Sequence, residues 1–333
     1  MCIRDSFKLQ LNNPPQGVYF PGMMVTGTVT AETDVPKDYK QIKVQLVGSA
    51  DVHWSESRGS GNDSRSVSYN SDEQYLDCSA VLWDKDNAGG SAFPVGIYHF
   101  NFSLQLAASK LPASYEGLYG QIRYTVEARV VKEGLVKRDI TAKAIIPLVN
   151  TVTINSPQLM SPVSMEVQKT LCCWCCASGP IVMNTRIPRT GFCIKYDSIP
   201  IEVSVENGSS QEIRQVTASI YKQVVYTAEG NERYDSDNIT TIGSEPITSH
   251  NSIVWRPNPL TIPETSPTLT SCAIIQVSYF LRVTAAISWA INPHINIPIT
   301  LGNAPLSGEL ESAPLFLPSN PPPQPTAPML YPP

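Results

Sequence analysis

Between Gly96 and Leu106 the chain reads GIYHFNFSLQL. Ile97, His99, Asn101, Ser103 and Gln105 fall on one side; Tyr98, Phe100, Phe102, Leu104 and Leu106 fall on the other. Side chains alternate in this way only along an extended strand with one buried face. The pattern recurs at Phe7–Leu11, Val25–Val29, Ile42–Val47, Gln74–Trp83, Gln121–Val131 and Lys137–Ile146. It restarts at Ile181–Arg186, Ile199–Val205, Val216–Tyr226, Asn238–Ile242, Ile253–Arg256, Ile274–Val283 and Ile295–Thr300. Short strands cut by turn residues at intervals of about ten predict an all-β sandwich architecture. No segment carries a helical stripe, and 29 prolines in 333 residues would break long helices.

The fold class expected is therefore all-β, with two immunoglobulin-like sandwich domains in tandem. The first spans 7–150. A connection at 151–163 holds Pro157 and Pro162 among Asn and Ser. The second spans 164–306. From Ser307 the chain turns Pro-rich, and SNPPPQPTAPMLYPP at its end reads as a disordered, polyproline-type tail. Asp51–Glu73 is polar and rich in Ser, so it reads as a long hairpin loop. Met1–Ser6 looks foreign to the rest of the chain and is set aside from the fold.

Composition narrows the partners. Charged residues make up 16% of the chain, against about 25% in an average soluble protein, and the net charge is −5. No dense Lys/Arg patch exists, which argues against nucleic acid. The best apolar stretch, Cys272–Ile291, contains Gln276 and Arg282 and alternates like a strand, not like a membrane helix. No apolar run of the secretory kind opens the chain. Sequons at Asn62, Asn101, Asn207 and Asn238 keep a secreted or cell-surface adhesion sandwich as the alternative. Such a domain's Cys…Trp…Cys framework is missing: Cys193 and Cys272 are suitably spaced, but Trp255 lies near the wrong end.

Four of the eight cysteines crowd into Cys172-Cys173-Trp174-Cys175-Cys176. Four thiolates in five residues do not easily surround one tetrahedral zinc. A redox C-x-x-C needs a strand-to-helix junction of an α/β fold. S-acylation of Cys172, Cys173, Cys175 and Cys176 beside Trp174 would tether the chain to a membrane. The plain reading is a buried strand of small apolar residues. Disulfides between such near neighbours are sterically poor, which favours reduced thiols and a cytoplasmic setting. The only histidines are His53, His99, His250 and His294, and none sits in a catalytic pattern. No P-loop, G-x-S-x-G or dinucleotide fingerprint occurs, so the chain reads as no enzyme and needs no cofactor.

Several stretches carry a resemblance. They are Val18-Tyr19-Phe20-Pro21-Gly22 leading into Val25, Gly27 and Val29, and Leu46–Ala50 with Trp54. Leu111-Pro112-Ala113-Ser114-Tyr115-Glu116-Gly117 comes next, running on to Gly120-Gln121-Ile122-Arg123-Tyr124. In the second half come Lys169–Ile181, Ile262–Leu269 and Ile297–Gly302. In order and spacing they resemble the arrestin superfamily, and within it the α-arrestins, over about 7–305. The resemblance implies two sandwiches end to end and a non-enzymatic trafficking adaptor that links membrane cargo to ubiquitin ligases or sorting machinery. It implies a position at the plasma membrane or endosomes. The phosphate-sensing basic residues and buried charged core of receptor-class arrestins have no counterpart.

In the Leu111–Arg123 stretch, Pro112 and Gly117 bound a loop, and Glu116 and Arg123 are candidates for an ion pair. In the tail, Pro325-Thr326-Ala327-Pro328 is similar to the late-domain motif bound by the UEV domain of ESCRT-I. An extended Ala-Pro segment enters an apolar pocket at low ordering cost. The Pro-Pro-x-Tyr motif that recruits WW-domain ligases is not met. Pro328-Met329-Leu330-Tyr331 keeps its first Pro and its Tyr331, which leaves a WW-domain ligase open.

Overall fold

The computed structural model describes residues 5–59, 65–108, 111–133, 139–173, 176–288 and 290–304; the side chains of 58, 172–173 and 176–178 are not described. In the first half, alternating burial sorts the strands into two facing sheets. β1 (Ser6–Leu11), β2 (Met24–Thr33) and β5 (Gly96–Gln105) form a three-stranded sheet in the order β1-β2-β5. Opposite it, β4 (Arg65–Asp84), β3 (Tyr39–Arg58), β7 (Gly120–Lys132) and β6 (Tyr115–Glu116) lie side by side, with β8 (Ile140–Ile146) paired to β7. Val25, Val29 and Ala31 of β2 face Ile42, Val44 and Leu46 of β3 and Ile122, Val126 and Val130 of β7, all buried. Burying these faces against each other is what stabilises the pair of sheets.

The second half repeats the plan. After α1 (Pro157–Met160), capped by Ser156, come β9 (Val163–Cys173), β10 (Cys176–Ile187), β11 (Gly191–Cys193), β12 (Ser198–Ile199) and β13 (Glu202–Asn207). β14 (Ile213–Ala228), β15 (Asn231–Gly243), β16 (Asn251–Trp255), β17 (Leu260–Thr261), β18 (Ile275–Ile287) and β19 (His294–Gly302) complete it. One sheet runs β16-β13-β10-β9, the other β11-β19-β18-β14-β15, with β12 and β17 as a small pair. α1 is the one α-helix among the described residues, and no described helix is long and apolar enough to cross a membrane.

Three local expectations are corrected. Among the described residues of Asp51–Glu73, 51–58 and 65–73 are strand, not loop: β3 and β4 stay paired from Gln41↔Asp84 out to Arg58↔Arg65. The buried period was present in Val52, Trp54 and Tyr69, hidden by polar residues between them. Trp54 stacks on Tyr69 with ring centroids 5.1 Å apart. The strand expected from Asn238 starts at Asn231 and pairs along the whole outer half of β14. Asp5 and Ser6 belong to the fold, since Asp5 pairs with Lys37 at 2.5 Å and the Ser6 hydroxyl donates to Glu32.

Candidate functional site

The segment Leu111–Arg123 sits where the two halves meet. Its base is pinned to the first sandwich: the Tyr124 hydroxyl donates to Pro112 O at 2.8 Å, and the Leu148 amide donates to Ser114 Oγ at 3.0 Å. Glu116 and Arg123 make the expected ion pair, bidentate at 2.6 and 2.8 Å. Both side chains are partly exposed, so the pair contributes at most about 1 kcal/mol.

The loop tip reaches the second half. The Leu118 amide donates to Tyr226 Oη at 3.0 Å, and Tyr119 packs edge-on against Tyr226 at 5.5 Å. Lys222 lies over the Tyr115 ring at 5.3 Å and Arg233 over Tyr119 at 5.2 Å. Arg233 also bridges to Glu56 at 3.0 Å, on the far end of the β3–β4 hairpin. Two further contacts flank this centre: the Asn70 amide donates to Glu229 at 3.3 Å, and the Ala273 amide donates to Glu73 at 3.1 Å. On the opposite side Asn303 clamps the connection, accepting from the Val152 amide and donating to Asn150 O, each at 2.8 Å. The buried apolar cluster runs without a break from Tyr19 to Leu301.

The electrostatics of this seam are those of a joint. Burial pushes the Tyr115 hydroxyl far above the ordinary phenol range, so it stays protonated. Burial pulls the Lys222 ammonium down, and Asp237 and Asp235 oppose that pull. Cys272 lies nearby, and burial pushes its thiol up, which leaves it a poor nucleophile. His53 is bonded to Asn70 and His99 to the Thr30 hydroxyl, both in exposed positions outside the seam cavity. Among the described residues no cluster of His, Cys, Asp and Glu could hold a metal.

The residues singled out in the sequence fare unequally. Pro325, Thr326, Ala327, Pro328 and Tyr331 lie outside the described residues. So do Trp174 and Cys175. The backbone register pairs Cys173 with Cys176 and Cys172 with Ala177, which places the cysteine run at the end of the β9–β10 hairpin. Cys78 and Cys272 are not in disulfides, Cys78 half-buried and Cys272 buried. Of the sequons, Asn207 is closed: its side chain is 1% exposed and donates to Gln211 O and Thr248 O. The seam residues Tyr119, Lys222, Tyr226 and Arg233 carried no role in the sequence reading. The signal for them was Tyr226 and Arg233 flanking Glu229-Gly230, which makes them cross-strand partners in a tight hairpin.

Comparison with known proteins decides what this pair of sandwiches is. The first half, residues 7–155, matches the model "Arrestin (or S-antigen), N-terminal domain", and residues 177–306 match "Arrestin (or S-antigen), C-terminal domain". The chain belongs to the arrestin family. Within it the similarity runs to the α-arrestin branch. Mouse arrestin domain-containing protein 4 is 29% identical over 308 residues, covering 91% of this chain and 73% of that protein. Its human counterpart is 29% identical over 307 residues, covering 91% and 72%. Mouse thioredoxin-interacting protein is 26% identical over 302 residues, covering 90% and 73%. The seam is thus the joint between an arrestin N domain and an arrestin C domain.

Proposed function

We propose that this arrestin-family chain is a non-enzymatic adaptor in endocytic protein trafficking, linking membrane cargo to ESCRT sorting or ubiquitin-ligase machinery. The observation that carries the reading is a P-T-A-P sequence at 325–328, placed directly behind two arrestin domains that a dense set of contacts holds together. Sandwich domains at 7–150 and 164–306, joined by 151–163, form a platform whose sheet faces receive cargo. The tail at 307–333 supplies the second grip. A short tether holds the tail at high effective concentration near bound cargo, so each grip can be weak. The unbridged Cys78 and Cys272 and the buried Asn207 favour a cytoplasmic chain over the secreted alternative.

A peptide of residues 319–333 is expected to bind an ESCRT-I UEV domain with a dissociation constant of about 10–100 µM in a fluorescence-polarisation titration. Pro325→Ala with Pro328→Ala is expected to weaken it at least about tenfold, because both pocket-filling rings are lost. Unchanged affinity would refute the motif. Tyr331→Ala leaves UEV binding intact and reports only on WW-domain capture.

Membrane contact is proposed at the β9–β10 hairpin end through S-acylation of Cys172, Cys173, Cys175 and Cys176. One acyl chain gives marginal binding and two give a stable anchor. Hydroxylamine-dependent mass tagging is expected to show at least two acyl groups on the cytosol-expressed chain. Replacement of the four cysteines by serine should remove them and shift the protein off membranes. Absence of any hydroxylamine-sensitive label would end this part of the reading.

A further inference from the structure

The seam holds an open-mouthed cavity of about 450 Å³, within the range of small-molecule sites and placed where two domains meet. Tyr115, Leu148 and Val149 line it from the N domain, Val152 from the connection, and Pro267 and Leu269 from the C domain. None of the described lining residues is Asp, Glu, Lys, Arg or His.

Three kinds of occupant can be separated by chemistry. An ion would enter without a counter-charge, at a large desolvation cost. An extended peptide would pair with open backbone groups, and several wall groups are already taken. The Leu269 and Val277 amides each donate to the other's carbonyl. Thr268 N donates to Leu301 O, Val149 N to Tyr19 O, and Ser114 N to Leu148 O. The wall amide Asn303 is likewise spent, holding Val152 N and Asn150 O. What remains is the apolar wall of Leu148, Val149, Val152, Pro267 and Leu269, set among eight hydroxyl-bearing residues. Of these, Ser114 accepts from Leu148 N, Thr268 accepts from Leu301 N and Ser266 is bonded to Tyr279 Oη, while Thr151 and Thr270 stand on the exposed rim.

We propose that this seam cavity is a binding site for a neutral, largely apolar small molecule that touches both arrestin domains at once. Occupancy would add contacts across the joint and so hold the two cargo platforms in one relative orientation. The site is independent of the tail and of the adaptor reading.

Nile red, a neutral apolar fluorophore, serves as the probe, titrated into the full chain. One equivalent is expected to bind saturably, with a dissociation constant of about 10 µM or tighter. Thr151→Trp and Thr270→Trp place bulk on the solvent side of the mouth, where folding tolerates it. Each is expected to weaken binding at least tenfold while the dye-free melting temperature stays within about 2 °C. Absence of saturable binding, or full affinity in both rim variants, overturns the proposal. Binding that emerges only after residues 307–333 are removed also overturns it, in favour of an occupant supplied by the chain itself.

Discussion

Raising the pH above about 10 is expected to unfold this protein in one steep step, with tyrosine ionisation and loss of the β-sheet signal occurring together. Tyr115, Tyr124, Tyr226 and Tyr279 are 8%, 0%, 0% and 2% exposed. Burial pushes each hydroxyl above the ordinary phenol value of 10.0. In the unfolded chain the same groups ionise near 10. Above that pH the unfolded state has released protons that the folded state still holds, so stability falls as pH rises. It is fully present below about pH 10 and is lost on the way up to the folded values. Each tyrosine contributes up to about 1.4 kcal/mol per pH unit, so four reach about 5–6 kcal/mol per unit. A typical domain stability of about 5–15 kcal/mol is then exhausted over about one to three units. Absorbance at 295 nm and far-ultraviolet circular dichroism, recorded on one titration, check this. Gradual ionisation with the sheets intact beyond about pH 12 would show that these hydroxyls are not held in a dry interior.

The strands were legible because burial imposes a period of two, and that period survives in the sequence wherever neighbours are strongly apolar. Gly96–Gln105 shows this: Phe102 and Leu104 are buried and His99 and Asn101 are exposed, as the alternation implies. Legibility failed at Asp51–Glu73 for a physical reason. Among the described residues the far end of the β3–β4 hairpin buries only Val52, Trp54 and Tyr69, and its cover comes partly from the C domain through Glu56–Arg233 and Asn70–Glu229. A strand stabilised by a partner more than 150 positions away leaves little local trace. The seam was illegible for the same reason. Glu116 and Arg123 lie close in sequence and could be paired by inspection. Leu118 and Tyr226 meet only because the two sandwiches dock. The tail motif is the converse case, since a linear motif is read from its residues and gains little from the fold.

The adaptor reading needs the two arrestin domains to act as one body, and Gly117 is where that can be broken most cleanly. A methyl group there would fall inside contact distance of Tyr226 Oη and 2.7 Å from the Tyr115 ring. Tyr115 is held by the Lys222 ammonium over its face, and Tyr226 by Tyr119 and the Leu118 amide, so neither ring can swing aside freely. Gly117→Ala must therefore displace at least one buried ring, at about 1–3 kcal/mol. It also strips the Leu118 amide of its acceptor, at about 1 kcal/mol more. The total of about 2–4 kcal/mol falls on the joint and not on either core. Each domain keeps its own facing sheets, so the expected outcome is separation. A single denaturation transition in the parent splits into two, and small-angle scattering reports a larger radius of gyration. Glu116→Ala, one residue away, removes only the exposed pair with Arg123 and should change stability by less than about 1 kcal/mol. If Gly117→Ala unfolds at the parent's midpoint in one transition, the contacts at Tyr115, Leu118 and Tyr226 do not couple the domains. If both domains melt together at a lower midpoint, the seam is part of a single cooperative core. Only the split transition, with the Glu116→Ala protein unchanged, supports a joint whose contacts set how two separately folded platforms are presented to cargo.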